Sequence, residues 1–468
     1  MSAYLKRIII FLAVIIIALN SQESQARDIY VKLSGAKSFN IGVSDGNLMM
    51  TDSSGRVSNL SNSAKISVNG ANVSIGNFSF PLPVRITGTG FLKFNGKSYR
   101  GAFLITQRAG LLNVLDLEQY LYGVLPAEVG ANWHMEALRT QAICARTYAL
   151  KQSMNRADKG YDVVDSDADQ VYKGAGVETA KTNQAVNSTA GLILAYGNEM
   201  ATTYFHSDSG GHTADVADVW GQNDKPYLCG VPEVVNYKSP VSVWNARVPV
   251  SKIQAAITKV TGSNIGKISE IQVSDVDKGG RAIMMTFIGS RGSKTIRASQ
   301  FRLAVDPRTI KSTMFTPSGG SFNVNNTTTP SGLVTTQKNQ PSASNLNFSE
   351  EQAIAKMTAE GVFTTTELID MLANPAKQKD YYQIGLGRTS RNKPANNNNN
   401  NTPAPAQKMN KYGYSIERHG NEFIFYGRGW GHGVGLCQWG TMAMAEKGYK
   451  AEQILSHYYP GTDVRKIR

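Results

Sequence analysis

Leu115-Asp-Leu-Glu-Gln-Tyr-Leu-Tyr-Gly-Val-Leu-Pro-Ala-Glu128 is where the chain changes its period. Upstream, Ile29-Tyr-Val-Lys-Leu33, Ala64-Lys-Ile-Ser-Val68 and Gly101-Ala-Phe-Leu-Ile105 alternate apolar and polar between Gly, Asn, Asp and Ser turns, which predicts strands over 28–115. Downstream of Asp116, helix signals take over. Met135, Leu138, Ala142, Ala145 and Ala149 recur at steps of three and four, one apolar stripe on a helix of about four turns. Strand and helix signals then mix to about residue 316. The expectation is an α+β fold, a mixed strand-and-helix domain (116–316) behind a β-rich N-terminal part (27–115). Pro126 cannot continue a regular helix, so Ala127 and Glu128 are expected in the connection between two helices.

Beyond residue 316 the composition shifts. Residues 317–347 are rich in Ser, Thr, Asn and Pro, as a linker would be. Ser349 with Gln352 and Thr364 with Glu367 are capping-box pairs, each opening an apolar stretch, and predict a small helical pair. Asn396–Asn401 and Pro403-Ala-Pro405 mark a second linker. The compact ending, 411–468, carries Phe423-Ile-Phe-Tyr426 as a strand, a glycine-rich loop and a helix from about Gln438 to Lys447. It is too short to bury a core alone and should return to pack on the first part, so 317–410 reads as an insertion.

The N-terminus reads as an export signal or an anchor. Lys6 and Arg7 precede an apolar run of 12 residues, Ile8–Leu19, and Ser24-Gln25-Ala26 offers small side chains to a signal peptidase. Either reading puts the rest of the chain outside the cytoplasm, with a membrane engaged only through residues 8–19 if they are retained. The net charge is +14. Removing 1–26 takes Lys6, Arg7 and Glu23, leaving 14 − 2 + 1 = +13. Such a balance favours anionic surroundings like a cell wall or lipid headgroups. A nucleic-acid partner is not expected, since no basic helix, aromatic–basic alternation or zinc-finger spacing occurs. Three cysteines, Cys144, Cys229 and Cys437, are too few for a disulfide framework, and Cys144 within the helical stripe reads as a small buried residue.

Three clusters carry chemistry. Glu128, hemmed by Val124, Leu125 and Trp133, is a carboxylate whose pKa partial desolvation would raise, making it a general acid at neutral pH. The bland reading is a solvated glutamate near a helix start. In Tyr204-Phe-His-Ser-Asp-Ser-Gly-Gly-His212, the Ser-Asp-Ser-Gly-Gly run approaches the nucleophile loop of chymotrypsin-like proteases, but the region is not all-β and the only upstream histidine, His134, starts a helical stripe. His206 and His212 also flank a Gly/Ser loop able to fold both imidazoles onto one ion, with Cys229 or a carboxylate as a third ligand; polar loop histidines are the competing reading. In Gly427-Arg-Gly-Trp-Gly-His-Gly-Val-Gly-Leu-Cys-Gln-Trp-Gly440 the glycines alternate and thread no dinucleotide motif. Trp430 and Trp439 offer faces for sugar rings and His432 a donor or acceptor, against the null of a tight loop with buried tryptophans.

Together these motifs resemble the stage II sporulation protein D family, which includes the amidase enhancers. The resemblance lies in Leu117–Glu128, Glu136–Ala149, Asp169-Gln-Val-Tyr-Lys-Gly174, the Phe205–Gly211 loop and Gly427–Tyr459, and spans about 90–316 and 411–468. It implies a peptidoglycan lytic transglycosylase, with Glu128 as the catalytic residue and Arg139 and Arg146 as basic helix positions that bind lactyl or peptide carboxylates or tune Glu128. Gln170, Tyr172, Ser209 and Gln438 fall in its motifs and join Trp430 and His432 as candidate substrate contacts. Some members bind zinc at the spacing of His206 and His212, with cysteine in the second position, where this chain has histidine; no cofactor is required. Cys437 stands where many relatives have serine, so no hydroxyl acts there.

The implied partner is a peptidoglycan glycan strand, cleaved at its MurNAc–GlcNAc bond. Ordinary glycosidases need two carboxylates. A lytic transglycosylase uses the sugar's own C6 hydroxyl as nucleophile, so one residue can act as acid and then base, leaving 1,6-anhydro ends. The other reading is a noncatalytic wall-binding protein that stimulates a cell-wall amidase.

Overall fold

In the computed structural model, the described residues are 27–35, 38–221, 225–316, 379–383, 414 and 416–467. The expected export segment, the two linkers and the helical pair before residue 379 lie outside them. Residues up to Phe315 and from Ile416 onward form one compact unit. Within the inserted stretch, the described residues 379–383 are helical.

The β-rich part is two sheets around one core. The first runs, in spatial order, Val163–Val164, Asp28–Lys32, Gly110–Asp116, Ala102–Thr106, Val84–Gly88, Leu48–Thr51 and Val57–Asn59; the second runs Lys97–Tyr99, Leu92–Phe94, Ser38–Val43, Ser63–Asn69, Asn72–Ile75 and Phe78–Pro81. Alternation decides which side chains meet. Ile29 and Val31 point inward while Asp28 and Tyr30 stay outside, and Ile41 and Ile66 answer them from the second sheet. Strands therefore occupy 28–116, as the alternation predicts.

Asp116 ends the last of these strands and opens helix α1, Leu117–Glu128, its Oδ1 accepting the backbone N–H groups of Glu118 and Gln119 at 2.9 and 3.1 Å. Helix α2, Met135–Asn155, follows, with His134 as its cap. It is longer than the stripe suggested and is apolar on two faces, because it divides two cores. Leu138, Ala142, Ala145 and Ala149 pack with the sheets and α1, whereas Ala137, Ile143 and Cys144 pack with residues from the end of the chain. Cys144 is buried, its thiol 3.6 Å from the Tyr459 hydroxyl. Truncating Leu138 to Ala at this junction should cost about 2–5 kcal/mol.

Pro126 corrects one expectation. Helix α1 runs through it to Glu128. Proline removes its own N–H, yet the last turn is held from outside: Lys173 donates to the Gly123 carbonyl at 3.3 Å and Val129 closes on Leu125 at 3.1 Å. Two residues beyond the proline are few enough for the helix to tolerate it.

Among the described residues outside the insertion, the further α-helices are α3 (Ala180–Ser188), α4 (Val216–Trp220), α5 (Val250–Thr261), α6 (Ala298–Val305), α7 (Gln438–Glu446) and α8 (Ala451–Tyr458). The C-terminal block is woven into the earlier chain strand by strand. Glu422–Gly427 pairs antiparallel with Trp244–Pro249, Leu436–Cys437 runs parallel to Phe205–His206, and Asp463–Lys466 lies antiparallel to Leu192–Tyr196. The architecture is α+β, with strands and helices mostly in separate layers.

Candidate active site

Glu128 faces a cavity of about 570 Å³. Its Oε1 accepts the backbone N–H of Val171 at 2.6 Å. That bond fixes the 165–174 loop against the end of α1, together with the Lys173–Gly123 contact. Gly123 has to be glycine here, since a Cβ would meet the Tyr172 ring at 2.6 Å and the Gly174 carbonyl at 2.8 Å. Burial raises the Glu128 pKa from 4.5 to about 7; the Val171 N–H and the Gln438 side chain, which favour the anion, offset only part of the desolvation. The desolvation anticipated for this carboxylate is present.

The cavity walls are mostly aromatic. Tyr148, Tyr204, Phe205, Trp220, Trp430 and His432 line it with Asp167, Asp169 and Gln438. Trp220 packs on Tyr204 at 4.9 Å and on His432 at 5.1 Å between ring centroids. Trp430 keeps 37% of its surface exposed, with the Lys311 ammonium over its ring at 5.5 Å. The glycine loop is stitched to the earlier chain, since Asp208 and Trp430 exchange backbone hydrogen bonds at 2.8 and 3.0 Å. A Cβ on Gly431 would meet the His206 Cβ at 2.6 Å, and its φ of +124° suits glycine alone.

Both histidines of this wall are uncharged. Desolvation, reinforced by Arg302 and Arg281, pushes the His432 pKa down to about 3, and burial pushes His206 well below its ordinary value. His432 Nδ1 accepts the Val434 N–H at 3.1 Å, so its ring proton is on Nε2; His206 Nδ1 donates to the Val434 carbonyl at 3.2 Å, so its Nε2 is a bare acceptor without a partner.

Of the residues the sequence marked, Glu128, His206, Trp430, His432 and Gln438 meet at this cavity. The others do not line it, for physical reasons. Arg146 is fully buried and bound to both Glu118 oxygens and to the Leu192 and Val186 carbonyls. Arg139 pairs with Glu136 at 3.2 Å on the first turn of α2. Gln170 accepts the Tyr120 hydroxyl, and the Tyr172 hydroxyl donates to Asn113, both within the core. Ser209 donates to buried Glu233 at 2.6 Å, in a network with Tyr237, Tyr458 and Cys437, and makes no protease-like arrangement. Trp439 packs against Trp133 with ring centroids 5.3 Å apart and the rings tilted by 57°.

His206 and His212 have different neighbours. The His212 ring abuts Gly279, and its Nδ1 is 2.6 Å from the Thr213 carbonyl, while His206 faces His432. Among the described residues no three His, Cys, Asp or Glu side chains converge on one point.

Trp220 and Asp167 went unmarked in the sequence, and Tyr148 and Tyr204 stood in quoted motifs without a role. Trp220 carried the same signal as Trp430, a tryptophan beside a glycine, but no motif drew attention to it. Asp169 was quoted within a motif without a role; it receives Arg156, Tyr148 and the Val164 N–H, so its oxygens are occupied.

Comparison with known proteins adds to this geometry. Residues 106–196, which hold α1, α2 and Glu128, match the model of the family SpoIID, Stage II sporulation protein. An uncharacterised protein of Brachyspira hyodysenteriae is 25% identical over 374 residues, covering 79% of this chain and 73% of that protein. The amidase enhancer of Bacillus subtilis is 25% identical over 364 residues, 73% of this chain and 40% of the relative. Stage II sporulation protein D of Bacillus subtilis is 34% identical over 172 residues, 33% and 50% respectively. The chain thus spans half or less of the length of the two named relatives.

Proposed function

We propose, for a chain whose residues 106–196 match the Stage II sporulation protein model, that it is a cell-wall protein acting outside the cytoplasm as a peptidoglycan lytic transglycosylase. The observation that carries this reading is Glu128: a carboxylate raised to about 7, facing an aromatic cavity. Near neutral pH a large fraction carries the proton needed to protonate the bridging oxygen. Once ionised, the same group accepts the C6 hydroxyl proton as C6–O attacks C1 and the bridging bond breaks. The proton balance closes on one residue. Asp169 is occupied by Arg156 and Tyr148, which leaves it no freedom to act as a nucleophile. Trp430 and Trp220 supply faces for sugar rings.

The test is mass spectrometry of purified wall material after digestion. Products with 1,6-anhydro ends support the reading, and free reducing ends overturn it in favour of hydrolysis, with Asp167 as the second carboxylate. No cleavage, with faster release of stem peptides by an added cell-wall amidase, supports the second reading, a noncatalytic partner of such an amidase, which the name of one relative favours.

A further inference from the structure

A second cavity, of about 530 Å³, shares Asp167, Ala168, Trp220, Trp430, Gly431 and His432 with the one at Glu128. The two are therefore lengths of one groove with the tryptophans at its waist. The far end is cationic on an otherwise mixed wall, with Arg302, Arg308, Ser299 and Thr313 beside Val219, Leu303 and Pro307.

Arg302 is the unusual member. Only 9% of it is exposed, and its Nε donates to the Ile310 and Lys311 carbonyls at 3.0 and 3.1 Å. Among the described residues no carboxylate pairs with it. The nearest candidate in sequence, Asp306, is committed to the Arg308 N–H and the Thr309 hydroxyl. Burial, with Arg281 close by, lowers the Arg302 pKa to about 10, which still leaves it charged at neutral pH. Asp306 acts on it only through space, so a largely buried guanidinium is left without a bonded carboxylate among the described residues, and an anionic ligand would complete its surroundings. Ionised histidines do not supply positive charge here, because His432 and His206 are held neutral. The two arginines do.

We propose that the Arg302–Arg308 end of the groove receives a carboxylate carried by the glycan strand, while a neighbouring sugar lies at Glu128. The inference rests on the strand-cleaving reading above. Two carboxylates of that polymer fit the chemistry: the lactyl group of a peptide-free MurNAc, and a stem-peptide carboxylate. Either offers two oxygens to the Nη groups of a guanidinium fork. Exposed Arg308 would meet the anion at the mouth and Arg302 at the floor.

Binding is measured on the Glu128→Gln chain, so that turnover does not interfere, with three probes of equal length: peptide-stripped strands, intact strands and neutral chitin oligosaccharides. Adding Arg308→Gln should weaken binding of the acidic probes about tenfold and leave chitin unchanged. Arg302→Lys, which keeps the charge and removes the fork, should show the same selectivity. Whichever acidic probe loses more identifies the carboxylate. Equal losses on all three probes, or no loss with Arg308→Gln, overturn the proposal; because Arg308 is exposed, that variant answers even if Arg302→Lys fails to fold. A wild-type chain that binds acidic strands through Arg308 yet releases no anhydro ends would keep this inference and remove the transglycosylase reading.

Discussion

Arg146 holds both oxygens of Glu118, from Nε at 2.8 Å and from Nη2 at 2.6 Å, and so ties the middle of α2 to the first turn of α1. The pair is interior mortar: Arg146 is fully buried, and its Nη1 also takes the Leu192 carbonyl at 3.0 Å. Arg146→Met should therefore destabilise the fold by about 3 kcal/mol, since it strands a largely buried carboxylate and two carbonyls. A thermal melt reads this. A variant that melts like the parent but binds strands weakly would return Arg146 to a ligand role.

Glu128→Gln keeps the side-chain volume and removes the titrating proton. Cleavage should fall by at least about a hundredfold with binding retained. Asp167→Asn should cost far less, on the order of a fewfold. Rates from the two variants on the same wall preparation decide the matter; an equal collapse for Asp167→Asn would make it a second catalytic carboxylate.

The pH dependence follows from the same residue. Burial raises Glu128 from 4.5 to about 7, so between those values the folded chain keeps a proton that the unfolded chain has released. The contribution of Glu128 to stability is therefore present at low pH and declines as pH climbs through that window. Glu128→Gln lacks this decline, so its stability relative to wild type should improve from pH 5 to pH 8. Denaturant titrations at both values measure the difference, and a flat difference would mean the carboxyl is not desolvated. Cleavage, which starts from the protonated acid, should likewise drop above about pH 7.

Trp430→Ala should raise KM up to about tenfold while the melt stays near that of the parent. Its backbone hydrogen bonds to Asp208 survive the change, and only the exposed ring is lost. Unchanged binding would mean the sugar lies elsewhere along the groove.

Metal content gives a separate check. Elemental analysis of the purified chain should find well below one zinc per molecule, and His212→Ala should not alter it, because His206 and His212 face different neighbours. One bound ion that disappears in His212→Ala would restore the pair as ligands.

Much of this was legible in the sequence. The strand alternation over 28–115, the stripe of α2 and the strand Glu422–Gly427 follow from local pattern, and Glu128, Trp430 and His432, singled out from their motifs, line one cavity. What failed needed tertiary knowledge. Pro126 reads as a helix stop until Lys173 is known to serve the Gly123 carbonyl. Arg146 and Tyr172 carry polar tips that look free in one dimension, and only the fold shows Glu118 and Asn113 waiting for them. Arg302 stayed invisible for the opposite reason: it reads as an ordinary surface arginine on a short helix, and its burial without a bonded carboxylate among the described residues appears only in the fold.

The parallel pairing of Leu436–Cys437 with Phe205–His206 has a temporal meaning as well. Glu128 leaves the ribosome early, but Trp430, His432 and Gln438, which complete its cavity, come only after the whole of 129–429. Until then the cavity has Tyr148, Tyr204, Phe205 and Trp220 but lacks Trp430, His432 and Gln438. A cavity closed this way is complete only once the C-terminal block has returned to the earlier chain, so a chain cut short before residue 430 would keep Glu128 without the wall that faces it.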